Sequence, residues 1–308
     1  MFTNEERKKV IGGSDIASIM SLNPWKTPLQ AWAEKTGEIV PDDISGIERV
    51  ELGTELEEFV SKKFERRYKK DTGEDIKVRR DTRTFRHSKY EYMVAHIDRR
   101  IVGSDAIFEA KTTSAFNDKS WKEEEIPTPY LLQCTWYLGI TGMHKAYIGC
   151  LIGGQKFVWK EISFDQELFD TMVEKARDFW ENYVQKKVPP MAVGDDSDLL
   201  VELFPKDSSP EFIQAHEETN DMISLLQETK MHLKEMVDEK KDIESRLKQM
   251  IGDNVGIITS MFKVSWKSQR GAPRILSEKM KEENVYNKYT EETEKRVMRV
   301  AKLKEGKK

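Results

Sequence analysis

Asp98, Glu109 and Lys111 are the residues whose types and spacing carry chemistry. Glu109 and Lys111 stand two apart in an apolar-rich run from Ala106 to Thr113, so on a strand they point to one face. Upstream, Val94, His96, Asp98 and Arg100 alternate with Met93, Ala95, Ile97 and Arg99, which predicts another strand. Gly103-Ser104-Asp105 between the two is turn chemistry, so the pair reads as a β-hairpin. With Asp98 across from Glu109, two carboxylates and one ammonium converge. Two hard oxygen donors suit Mg²⁺, and a lysine beside a metal orients or helps deprotonate water. That is the outline of phosphodiester hydrolysis. The same three charges also make an ordinary solvated ion-pair face, so the surrounding elements must decide.

Those elements are legible in order. Gly12-Gly13 is a turn, Ser14 reads as an N-cap, and Ile16, Ile19 and Met20 give a short helix its apolar face. A serine at a helix start beside glycine amides suits a phosphate, and Arg7 adds a charge. Pro28 opens a second helix that ends at Gly37. From Ile47 to Tyr68 a long helix carries Leu52, Leu56, Phe59, Val60 and Phe64 on one side. Gly53 within it costs about 1 kcal/mol relative to alanine, which suggests close packing against another backbone. Glu57 shares the face of Gly53, whereas Glu48, Glu55, Glu58 and Glu65 read as solvated. A basic strand, Arg79 to His87, leads into the hairpin. The helix Tyr130 to Leu138 sets Tyr130, Gln133 and Tyr137 on one face. Two strands, Lys145 to Ile152 and Lys156 to Ile162, follow around Gly153-Gly154-Gln155. An amphipathic helix from Phe164 to Val188 is stopped by Pro189-Pro190. The succession predicts an α+β domain over residues 1–190.

The remainder differs in kind. An acidic linker is expected over 191–210: Gly194 to Asp221 holds nine Asp/Glu against one Lys. Residues 211–308 read as a C-terminal coiled-coil-like helix plus a basic helix-and-sheet appendage. The helix, from Pro210 to about Gly252, has Ile223, Leu226, Leu233, Val237, Leu247 and Ile251 on a heptad seam broken by Lys230, Lys240 and Glu244. Strands are expected at Ile257 to Thr259, Phe262 to Lys267 and Lys295 to Val300, and a helix at Ser277 to Asn284. Lys263 to Lys308 carries fourteen Lys/Arg against seven acids, a weak hint of nucleic acid contact.

Composition narrows the classes. With 308 residues, 38% hydrophobic and 34% charged, the chain fits a soluble protein of one large domain and an appendage. No apolar run is long enough to cross a bilayer, and the N-terminus lacks a signal-peptide core. Two cysteines, Cys134 and Cys150, point to a reducing setting and exclude a four-cysteine cluster within the chain.

Four motifs in this order give the sequence a family resemblance: Ile11-Gly12-Gly13-Ser14-Asp15-Ile16-Ala17, Gly53-Thr54-Glu55-Leu56-Glu57, Asp98 with Glu109-Ala110-Lys111, and Tyr130 with Gln133 and Tyr137. Over roughly residues 5–190 it resembles the YqaJ-like viral recombinases, phage-type relatives of lambda exonuclease in the restriction-endonuclease-like PD-(D/E)xK superfamily. The resemblance implies a central mixed sheet flanked by helices. It implies that Asp98, Glu109, the carbonyl of Ala110 and Glu57 hold Mg²⁺, two ions in number, for which Mn²⁺ substitutes. Lys111 matches the lysine that handles the attacking water, and Gln133 the glutamine near the scissile phosphate. Arg7 and Ser14 match positions at the terminal 5′-phosphate. Ile97 and Glu58 stand where many relatives have proline, and neither change removes a ligand.

The expected activity is a 5′-to-3′ exonuclease on double-stranded DNA ends, in the cytoplasm of a bacterial host cell. Its 3′ overhangs would pass to a single-strand annealing protein of the RecT or Redβ kind, with a trimeric ring around DNA and no membrane. The rivals are an endonuclease of the same superfamily and a non-catalytic DNA-binding module.

Overall fold

The computed structural model describes residues 3–41, 43, 46–121, 125–269, 280, 283 and 285. It divides into two compact units, Met1–Phe204 and Pro205–Lys308.

The first unit begins with three helices, α1 (Asn4–Lys8), α2 (Gly13–Ile19) and α3 (Pro28–Thr36), followed by the long α4 (Glu48–Thr72). Thr27 caps α3 by accepting from the Gln30 amide, Pro28 sits in its first turn, and Gly37 leaves it at φ 81°. Strands β1 (Val78–Arg80), β2 (Phe85–Arg86), β3 (Val94–Ala95), β4 (Arg99–Ile101) and β5 (Ala106–Thr113) come next. Then α5 (Thr128–Thr141) crosses to β6 (Lys145–Ile152), which turns into β7 (Lys156–Ser163) and α6 (Gln166–Asp178).

The central sheet runs β1-β4-β5-β6-β7. Only β5 and β6 pair in parallel, because α5 carries the chain over the sheet between them. Side chains of β5 alternate. Ala106 and Phe108 pack with Val60 and Phe64 of α4, while Ile107 joins Leu132, Cys134 and Trp136 of α5 on the other face. The expected mixed sheet flanked by helices is present, and both cysteines are buried.

Several local expectations change. The strand predicted through Val94 to Arg100 is two strands, because its first half is claimed elsewhere. Ile11 donates to Tyr92 O (2.7 Å) and accepts from the Val94 amide (2.9 Å), while Trp136 Nε1 donates to Val94 O (2.8 Å). The basic strand splits for the same reason: β1 pairs β4, whereas β2 pairs β3 in a separate two-stranded sheet. Glu65 is not simply solvated, since its Oε1 accepts from the Val78 amide at 2.7 Å. Gly53 meets no backbone: a Cβ there would rest 3.5 Å from Thr112 Oγ1, an ordinary contact.

Residues 191–204, expected in the linker, belong to the first unit. A short 3-10 turn and α7 (Ser197–Leu203) lay Leu199, Leu200 and Leu203 on the core. Buried Asp196 accepts from Thr27 Oγ1 (2.5 Å) and from the Val193 amide (2.8 Å).

In the second unit the long helix α8 (Glu218–Ile251) starts later than its sequence predicts. A hairpin of β8 (Gly256–Ile258) and β9 (Lys263–Ser265) follows. Leu233 and Val237 of the heptad seam remain exposed, and Ile251 is buried. The strand expected at Lys295 to Val300, and all but isolated positions of the helix expected at Ser277 to Asn284, lie outside the described residues.

Candidate active site

The β4–β5 ladder pairs Arg99 with Phe108 and Arg100 with Ile107. One step further along that register puts Asp98 opposite Glu109. Directly opposed residues of an antiparallel pair share a face, so both carboxyls point away from α4 and toward α5. Glu109 is 2% exposed. Its Oε1 accepts from Lys111 Nζ at 2.7 Å, and its Oε2 is buried with no hydrogen-bond donor. Burial first, and then the Asp98 carboxylate, pushes the Glu109 carboxyl up to about 8. Two ionised carboxylates offer each other no donor, so the pair calls for a cation.

Lys111 is clamped. Its ammonium donates to Glu109 and to Gln133 Oε1 (3.0 Å) and lies 5.0 Å above the Tyr130 ring. Burial works against its charge, but Glu109, by charge and hydrogen bond, and then Asp98 hold it firmly protonated. Gln133 is itself fixed, since its Nε2 donates to Tyr137 Oη at 2.7 Å. The helical spacing of Tyr130, Gln133 and Tyr137 thus becomes one face of α5 laid over the ammonium.

Gly13 explains how α2 reaches this face. A Cβ at Gly13 would come 2.6 Å from Tyr137 Cε1 and 3.2 Å from Gln133 Cγ, so only glycine lets the helix start seat there. Ser14 is not the N-cap. That position is Gly12, whose amide donates to Asp15 Oδ2 (2.9 Å), and Ser14 is exposed in the first turn. Asp15 is anchored by Lys35 (2.7 Å), which also donates to Arg7 O at 2.9 Å, tying α1, α2 and α3 together. Burial opposes the charge of Asp15, but Lys35 and Lys26 outweigh it and lower its carboxyl. Arg7 is exposed on α1, and its charge, with that of Arg86, reaches His96. Arg7 and Ser14 therefore lie on successive helices, and Ser14 follows the glycine that seats against Gln133 and Tyr137.

Glu57 comes from α4, on the other side of the sheet. Burial, then the Asp98 carboxylate, raises its carboxyl, while Arg99 and Arg80 oppose the rise. It senses Asp98 without closing a cage: among the described residues no three His, Cys, Asp or Glu side chains cluster tightly enough to hold a metal ion. Neighbouring Glu58, expected in solvent, is exposed yet accepts from Arg99 at 2.8 Å. The residues nonetheless suit a cation. Asp98 stands opposite Glu109, whose Oε2 is buried without a partner, and carboxylate oxygens are the donors that a hard divalent ion takes. Sequence reading missed Asp81, which sits on the far side of Asp98 and gave no signal inside a run of arginines.

A helix-flanked mixed sheet that buries Glu109 opposite half-buried Asp98, beside a clamped lysine, is a fold organised around one polar corner. A family model for the YqaJ-like viral recombinase domain matches residues 4–144. The chain is also 37% identical over 294 residues to the uncharacterised protein YqaJ of Bacillus subtilis (strain 168), covering 94% of this chain and 90% of that one. It belongs to the YqaJ-like viral recombinase family. Among solved structures it is similar to an alkaline exonuclease, LHK-Exo, from Laribacter hongkongensis, with TM-score 0.46 and 14% identity over 60% of this chain and 94% of that one. A phage related exonuclease from Haemophilus somnus 129PT gives TM-score 0.42 and 16% identity over 58% and 95%.

Proposed function

We propose that the protein is a Mg²⁺-dependent deoxyribonuclease that degrades double-stranded DNA from its ends in the 5′-to-3′ direction. The observation that carries this reading is buried Glu109, with its orphaned Oε2, opposite half-buried Asp98 and beside an ammonium that Gln133 and Tyr130 hold in place. Family membership and the exonucleases among similar structures are consistent with it.

Asp98, Glu109 and the Ala110 carbonyl would hold one ion, and Glu57 with Asp98 would serve a second. Bound there, Mg²⁺ supplies charge neutralisation for the pentacovalent phosphate and the leaving oxygen. The chain's own groups do the rest. Lys111 orients the attacking water and steadies the hydroxide it becomes, and Gln133 keeps the ammonium from collapsing onto Glu109 alone. Arg7 and Ser14 grip a terminal 5′-phosphate, which favours chain ends over internal bonds. The 3′ strands so exposed suit a single-strand annealing protein, and a ring of three copies would keep the enzyme on its duplex.

The test is digestion of an end-labelled duplex with and without a 5′-phosphate, in Mg²⁺ and in EDTA. Native protein should release nucleotides from phosphorylated ends only in Mg²⁺. Lys111→Ala should lower the rate at least 10³-fold, the scale of losing a group that acts in the transition state, while duplex binding persists. Rapid cutting of a closed circular duplex would instead make the protein an endonuclease.

A further inference from the structure

One step beyond the β1–β4 ladder, Asp81 falls opposite Asp98, and its amide donates to Asp98 O at 3.2 Å. Asp81, Asp98 and Glu109 therefore form one row across three strands on the same face. Asp81 does not join the acid pair. Its side chain is 4% exposed, and its oxygens accept from Arg83 Nε (2.9 and 3.1 Å) and Arg83 Nη2 (2.5 Å), with Arg100 Nε 3.9 Å away. The two arginines remain open to water, at 59% and 40%. This is unlike a surface ion pair, where both partners are wet and neither is held. The same register sets exposed Arg79 opposite Arg100, on the same face. One buried carboxylate thus holds two guanidiniums, and a third stands on the same face, leaving an outward positive charge along the β1 edge of the central sheet.

We infer that Arg83 and Arg100, aimed by Asp81, and Arg79 beside them form the strip that holds the phosphate backbone of the DNA leading to the Asp98–Glu109 pair. The inference rests on the nuclease reading above. Two strand spacings of about 4.8 Å separate Asp81 from Glu109, roughly the rise of three nucleotides along one DNA strand. A guanidinium held from behind by a carboxylate presents its remaining N–H groups as a fork, the geometry that matches phosphate oxygens. An acidic protein partner would not need this alignment with the acid pair, whereas a nucleic acid strand entering the site must cross it. Asp81 is a positioning residue here, since it touches arginine rather than DNA.

The experiment is fluorescence anisotropy of a short labelled duplex with full-length protein in EDTA, across a salt series. Arg83→Ala with Arg100→Ala should weaken binding at least tenfold at low salt. It should also take about 2 off the slope of log affinity against log salt, close to 0.9 for each lost phosphate contact. Arg83→Lys with Arg100→Lys should restore most of that slope, because the charges return without the fork. Asp81→Asn should weaken binding with a smaller change in slope, because the cations stay but lose their aim. An alanine variant with native affinity and slope overturns the inference. So does a slope that lysine fails to restore, which marks a folding role, and so does a native chain that binds no duplex. No cleavage is read, so a native chain that binds DNA through these arginines but never cuts it would sink the nuclease proposal alone.

Discussion

Two lysine–glutamate pairs of the same sheet differ in almost nothing but their surroundings. Lys111 meets Glu109 at 2.7 Å, with side chains 19% and 3% exposed. Lys145 meets Glu161 at 2.8 Å, with side chains 41% and 42% exposed. Residue types and distance match and each ammonium lies over a tyrosine ring, yet only the first pair shares its ammonium with an amide and has its second carboxylate oxygen stranded beside another acid. Water screens the outer pair from every side, so its charges cost little and do little. Covering the inner pair with α5 strips that screening away and leaves a demand for a cation. The difference between an ion pair and a site here is a helix.

The loss expected of Lys111→Ala is the largest break of that comparison, and Glu109→Gln sharpens it. In EDTA the Glu109 carboxyl stands at about 8 in the folded chain against an ordinary 4.5, so the folded state binds this proton more tightly. Its contribution to stability is full below about 4.5 and is lost as pH rises through 8. The melting temperature of metal-free native protein should therefore fall between pH 5 and 8.5, on the order of several degrees, and Glu109→Gln should flatten that fall. The same variant should be inactive in Mg²⁺. A melting temperature that rises over this range would contradict the buried-acid account.

A second contrast sets two helical glycines against each other. Gly13→Ala should cost about 1–3 kcal/mol and lower activity, because its Cβ would collide with Tyr137 and displace α5 from Lys111. Gly53→Ala, whose Cβ meets only the Thr112 hydroxyl at 3.5 Å, should be neutral or stabilise by up to about 1 kcal/mol. Denaturant melts of the two variants check both signs. The smallest effect belongs to the outer pair: Lys145→Ala should change stability by no more than about 0.5 kcal/mol and leave cleavage at the native rate.

Local pattern reached far in this chain where an element is long and periodic. Apolar spacing places α4, α5, β6 and β7, and Gly37 ends α3 at positive φ, although α4 runs on to Thr72 and α5 to Thr141, past the expected ends at Tyr68 and Leu138. It failed where neighbouring chain competes for the same backbone groups. The segment from Val94 to Arg100 alternates like one strand, but Ile11 and Trp136 take the hydrogen bonds of its first half. Ser14 looks like a cap, yet Asp15 reaches back to Gly12 and does the capping instead. Leu199, Leu200 and Leu203 sit in an acidic stretch that reads as linker, and they pack because a core face is open to them.

Of the polar corner, local spacing alone specifies the parts. The spacing of Glu109 and Lys111 sets them on one face of a strand, and that of Tyr130, Gln133 and Tyr137 sets them on one face of a helix. These are properties of a repeat of 2.0 or 3.6 residues and need no partner. Which faces meet and which charges lose their water is settled by the packing of distant segments. Register places Asp98 beside Glu109 and Asp81 beyond it, and α5 covers the lysine. Glu57, from the other flanking helix, comes within reach of the Asp98 charge. Pairing and burial depend on groups far apart along the chain, so no local pattern can specify them.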